Sequence, residues 1–154
     1  MPRINQAEAP RGSGTRYPAP FDIPCRKRTW LRLGDAAGLT QFGVNLLRMP
    51  PGAWSSQRHW HSHEDEFVYV LDGEVMLVTD QGEEKLGAGD CAGFRAGDRN
   101  GHCLQNRALR DAQILVIGTR NVEDHGEYPD IDMMFTAERS ADKGAFVHRD
   151  GSPY

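Results

Sequence analysis

Arg58-His59-Trp60-His61-Ser62-His63-Glu64-Asp65-Glu66 runs without a break into Phe67-Val68-Tyr69-Val70-Leu71-Asp72-Gly73, and the change of character at Glu66 decides the fold. Up to and including Glu66 stand three of the six histidines and three carboxylates; downstream stand five apolar residues of high strand propensity. Successive side chains of an extended chain point to opposite faces, so His59 and His61 share one face. By the same parity Glu66, Val68 and Val70 share a face, and Phe67, Tyr69 and Leu71 take the other. Neutral imidazole nitrogens with a carboxylate oxygen form a ligand set for a divalent transition metal. A turn between the two segments brings Glu66 back beside the histidine pair, where it serves as ligand and as a candidate for moving a proton. His63 continues the alternating series and is a rival ligand, since spacing alone permits a His61/His63 pair. The plainer alternative is a polar loop whose histidines titrate near neutral pH. Against it stands the direct passage of the charged cluster into an apolar strand.

Outward from this stretch the chain reads as short strands between frequent turns. Residues 39–46 alternate apolar and polar side chains, as a half-buried strand does, and Pro50-Pro51-Gly52 ends the run. Asp72-Gly73 between residues 67–71 and 75–79 predicts a hairpin, because both turn residues tolerate positive φ. Asp80-Gln81-Gly82 and Gly87-Ala88-Gly89-Asp90 give further turns. A strand is expected around residues 102–106 and a last apolar one over 112–118. Such spacing reads as an all-β sandwich or barrel. The carboxy-terminal part, residues 120–154, is less regular, with Met133-Met134-Phe135 as its apolar cluster, and is expected to pack across the barrel.

The totals agree. The chain has 154 residues, enough for one domain with a real core, and its 17 glycines and 9 prolines favour a turn-rich β fold over a helical bundle. Five prolines fall in the first 24 residues, so residues 1–29 are expected to form an extended arm ahead of a barrel domain over residues 30–154. Arg26-Lys27-Arg28 reads as a solvated surface patch. A net charge of -4 gives no basic footprint for nucleic acid. No run reaches the length of a membrane span, and residues 1–10 lack the apolar core of a signal peptide. The odd cysteine count does not suggest a disulfide scaffold, and Cys91 and Cys103 read as small buried hydrophobes. A reduced cytoplasmic protein follows. Edge strands and the arm suggest a homodimer.

The motifs resemble those of the cupin superfamily. Gly52, then His59-x-His61, four residues, Glu66, six residues and Gly73 is similar to the first cupin motif, with one extra residue between Gly52 and His59. Gly89, five residues, Arg95-Ala96-Gly97, then His102, three residues and Asn106 is similar to the second. Here Arg95 replaces the family's usual proline, and four residues instead of two separate Gly97 from His102. The resemblance implies a double-stranded β-helix, a jelly-roll barrel whose mouth holds one divalent metal ion (Zn, Mn, Fe or Ni) on His59, His61, Glu66 and His102. The run from Arg58 to Leu71, Asn100-Gly101-His102 and the ending Asp150-Gly151-Ser152-Pro153-Tyr154 resemble a bacterial cupin group labelled as sugar-phosphate isomerases.

An open metal site polarises a carbonyl or hydroxyl oxygen, which fits isomerisation of a small, carbohydrate-like metabolite. Iron(II) would admit dioxygenase chemistry instead. A non-catalytic small-molecule or metal-binding module is a further reading, and an inert β-sandwich a third. A phosphate-bearing substrate needs cations at the mouth, where Arg58, Arg95 and Arg99 are candidates by position. His148 and Arg149 of the tail are also able to approach it.

Overall fold

Apolar alternation in several short segments demands that each bury one face, and the chain does so by wrapping two sheets around one core. The computed structural model describes residues 3–137 and 146–154. In chain order the strands are β1 (Arg11–Ser13), β2 (Thr29–Arg32), β3 (Phe42–Met49), β4 (Glu66–Asp72), β5 (Glu74–Thr79) and β6 (Gly82–Gly87). They continue as β7 (Cys91–Phe94), β8 (Cys103–Gln105), β9 (Ala112–Thr119), β10 (Gly126–Tyr128), β11 (Met133–Phe135) and β12 (Phe146–Val147). One antiparallel sheet runs β1-β2-β3-β9-β4-β7, a second β6-β5-β8 and a small third β10-β11-β12. Leu47, Val68 and Ile114 of the first sheet share a core cluster with Val75, Leu77 and Leu104 of the second. The fold is the all-β jelly roll that the motifs imply.

Parity on β4 follows the sequence. Val68 and Val70 are buried at 1% and 0%, while Phe67, Tyr69 and Leu71 stand out from the sheet. The turn after it does not form the expected hairpin. β4 pairs with β7 and β9, whereas β5 pairs with β6 and β8, so Asp72-Gly73 is a corner between sheets. Gly73 has φ 81°, and a Cβ there would lie 2.7 Å from the carbonyl of Asp111. The same permissive dipeptide serves a corner as well as a hairpin, and apolar alternation on both sides lets each strand bury one face in a different sheet. Asp80-Gln81 does close a hairpin, with Thr79 opposite Gly82.

The amino-terminal segment lies against its own barrel. β1 pairs with β2 at the sheet edge, and Cys25 is fully buried. Tyr17 and Phe21 pack against Tyr128, Met133 and Phe135 of the tail, giving a second apolar cluster outside the barrel core. Cys103 is buried as expected, but Cys91 is exposed. It sits opposite Tyr69 on the outer face of its sheet, while its neighbour Ala92 packs on the core. No helix among the described residues is long and apolar enough to cross a membrane.

Candidate metal centre

The histidine segment lies outside the named ladders yet is held on both sides. His59 and His102 exchange backbone hydrogen bonds at 3.1 and 2.9 Å, and Gly97 N–H donates to the His61 carbonyl at 2.8 Å. On the other side Trp60 N–H donates to Glu127 at 3.3 Å and Ser62 N–H to His125 at 2.8 Å. This alternation keeps residues 59–62 extended, and so keeps the His59 and His61 rings on one face. Glu66 opens β4 with its side chain inward. His102 immediately precedes β8, its ring stacked on Phe94 at 3.5 Å.

The four predicted residues therefore meet. His59 Nε2 lies 3.1 Å from His61 Nε2, His61 Nε2 lies 3.7 Å from Glu66 Oε2, and His102 Nε2 lies 3.6 Å from Glu66 Oε1. One ligand atom each from His59, His61 and Glu66 falls within 4.8 Å of the other two. His59 Nδ1 donates to the Gln57 carbonyl at 3.0 Å, and His61 Nδ1 donates to Asp124 Oδ2 at 2.8 Å. Each of these bonds places the ring proton on Nδ1 and leaves Nε2 with a bare lone pair. Two such lone pairs facing each other at 3.1 Å repel, and a cation between them relieves this. Both ring nitrogens of buried His102 lack a hydrogen-bond partner among the described residues, a cost of about 1–3 kcal/mol for an unsatisfied group. This donor set fits a divalent transition ion.

The charges are coupled. Burial alone would raise the Glu66 pKa, but the neighbouring imidazoles, His102 first and then His59 and His61, bring it down to about 2. Burial, then the neighbouring His102 and His61, holds His59 well below the ordinary histidine value. Glu66 is thus a fixed anion and His59 a neutral base, the protonation states that ligation needs.

Asp124 was not visible in the sequence pattern. It is 1% exposed, and besides His61 it accepts the His63 backbone N–H at 2.9 Å. It lies 63 residues from His61 in an aperiodic stretch, so no local signal marks it. His63 itself is exposed, its ring beside His125 and apart from the four.

A cavity of about 320 Å³ opens onto His59, His61, Glu66 and His102. Its far wall comes from outside the barrel motifs: Tyr17 and Arg28 from the amino-terminal segment and Tyr128 from β10. Burial pushes the Tyr17 phenol up to about 12, against the pull of Arg28. The three cationic candidates do not line this cavity. Arg58 is tied to Asp80 and Asp130, and Arg99 lies over the Trp60 ring. Arg95 borders a neighbouring cleft that also reaches His61 and His102. His148 and Arg149 bind Asp132 within the tail.

The chain belongs to the cupin superfamily. The cupin domain family matches residues 45–118, a span that includes all four of the converging side chains. Over 99% of this chain and 96% of the other, the structure is similar to a cupin-superfamily protein of Silicibacter pomeroyi described as a sugar phosphate isomerase, with 46% identity and a TM-score of 0.91. A protein of Acidithiobacillus ferrooxidans, provisionally named for the same activity, is 33% identical over 71% of this chain and 70% of its own, with a TM-score of 0.68. A polyketide cyclase of Streptomyces resistomycificus, 22% identical over 77% of this chain and 79% of its own at TM-score 0.62, shares the fold. Comparison with curated proteins returns no match.

Proposed function

We propose that His59, His61, Glu66 and His102 hold one divalent transition metal ion, and that the protein is a metal-dependent enzyme isomerising a small carbonyl- or hydroxyl-bearing metabolite of the sugar-phosphate type. The observation that carries this reading is the pair of bare Nε2 atoms 3.1 Å apart beside an ionised carboxylate. The activity for which the Silicibacter pomeroyi relative is named supports the substrate class. When bound, the ion acts as a Lewis acid that polarises a carbonyl or hydroxyl oxygen. Glu66 contributes negative charge and one ligand oxygen; with its pKa near 2 it is a weak base, so ligation is its main task. Gln57 and Asp124 hold the His59 and His61 rings in the tautomer that ligates. Tyr17 and Tyr128 offer hydroxyl groups to a polyol, and Trp30, Val68 and Leu104 add apolar walls to the same cavity.

Elemental analysis of the purified protein beside His61→Ala tests the centre. About one ion per chain is expected in the parent and a loss of most of it in the variant. Equal metal in both would sink the reading. Aldose and ketose phosphates are then the first substrates to assay for interconversion.

A further inference from the structure

Arg26, Lys27 and Arg28 form one basic run in the sequence, but the fold divides it. Arg26 and Lys27 are exposed, whereas Arg28 turns inward and lines the cavity that holds His59, His61, Glu66 and His102. The reason is strand parity. Arg28 stands two residues before Trp30, whose side chain packs on the barrel core, so the two share the inner face.

Arg28 is also fixed in place. Its Nε donates to the Gly14 carbonyl at 2.9 Å, and its guanidinium lies over the Trp30 ring at 5.3 Å. Among the described residues it has no carboxylate partner, and its terminal nitrogens make no hydrogen bond. Arg58, by contrast, is neutralised by two aspartates, and Arg120 by Asp35. A half-buried guanidinium held by its Nε, with its fork unengaged, is prepared for a planar or tetrahedral oxyanion. Among the described residues Glu66 is the one carboxylate on the cavity wall. A divalent ion would outweigh it, and Arg28 adds further positive charge. Arg32, four residues on, lines an adjoining cleft that also reaches Glu66.

We propose that Arg28 is the anion anchor of this cavity: the ligand is a small oxygen-rich anion, a phosphate monoester or a carboxylic acid, whose charged end docks on the Arg28 fork while its hydroxyl or carbonyl end faces the histidine cluster. The orientation of the second end rests on the proposed metal centre; the anion contact does not. Arg28 lies outside residues 45–118, so the amino-terminal segment, not the barrel motif, sets the charge preference.

The test uses glycerol 3-phosphate, glycerate and glycerol, titrated calorimetrically into full-length protein of measured metal content. The anions should bind at least about tenfold more tightly than glycerol, as a charge-assisted bidentate contact predicts, and the tighter of the two assigns phosphate or carboxylate. Arg28→Gln should abolish the preference at unchanged metal content, and Arg28→Lys should keep only part of it. Arg26→Gln, in the same basic run, should bind as the parent does. The proposal is overturned if the parent shows no preference or if a folded Arg28→Gln retains it. Should that variant fail to fold, Arg28→Lys decides, since binding equal to the parent's would exclude the guanidinium fork. If the protein holds no metal, the proposed function falls, and the same titrations on the metal-free protein still judge Arg28.

Discussion

Among the described residues the molecule has two apolar clusters, and they do different work. The first fills the barrel between the two main sheets, from Leu47 and Val68 across to Val75 and Leu104. The second joins the chain's two ends outside it, with Tyr17 and Phe21 against Tyr128, Met133 and Phe135. The barrel cluster fixes the strands that carry Glu66 and His102. The terminal cluster reaches the site from the other side: the Phe135 ring lies 5.2 Å from the His61 ring, and Tyr128 lies 5.8 Å from His59. One cluster fills the barrel that the cupin domain family spans over residues 45–118, and the other closes the cavity from segments outside that span. Removing a side chain from either should cost stability, but only the second should also disturb the centre.

Phe135→Ala and Ile114→Ala make that contrast measurable. Both side chains are buried, at 2% and 0%. Urea unfolding should show losses of about 3–5 kcal/mol for the first and about 2–5 kcal/mol for the second. Metal affinity, from competition with a chelator, should fall by roughly tenfold in Phe135→Ala alone, the scale expected when support around a ligating histidine is lost. Equal weakening in both variants would erase the distinction.

A narrower change isolates the carboxylate that the tail delivers. In Asp124→Asn the amide would present N–H to His61 Nδ1 and favour the tautomer that carries its proton on Nε2, so metal affinity should drop by about 10–100-fold. Asp124→Glu should recover part of it, and the metal-free variant should retain its fold by circular dichroism. Unaltered affinity in Asp124→Asn would show that Asp124 merely braces the backbone of His63.

The smallest effect expected is that of pH on the metal-free protein. His59 is held below its ordinary value of 6.5, so the unfolded chain binds its proton more readily and stability is lost as pH falls below that value. Glu66, lowered from 4.5 to about 2, adds stability that is present above 4.5 and disappears only toward pH 2. Between pH 7 and pH 5 the urea midpoint should therefore decline through His59 while Glu66 stays silent. His59→Gln should flatten this interval; an undiminished slope would place the titration elsewhere.

Alternation along a single segment carried much of this into view. The facing of His59 with His61, and of Glu66 with Val68 and Val70, needs only the two-residue period of an extended chain, and the structure repeats it. Turn chemistry was less informative. Asp72-Gly73 marked a reversal correctly but not its kind, since positive φ at Gly73 serves a corner between sheets as well as a hairpin. Nor did proline content say what an extended arm packs against, because proline limits backbone hydrogen bonding without saying what the side chains touch.

By itself, then, the sequence determined the period and the strand faces through local spacing, and the jelly-roll class and the four converging residues through its resemblance to the cupin motifs. The tertiary structure alone decided which charged groups stand beside them. Asp124 reaches His61 across 63 residues, and Arg28 turns into the cavity while Arg26 stays in water. Such pairings are set by how distant segments pack to bury apolar surface, and no local pattern encodes them.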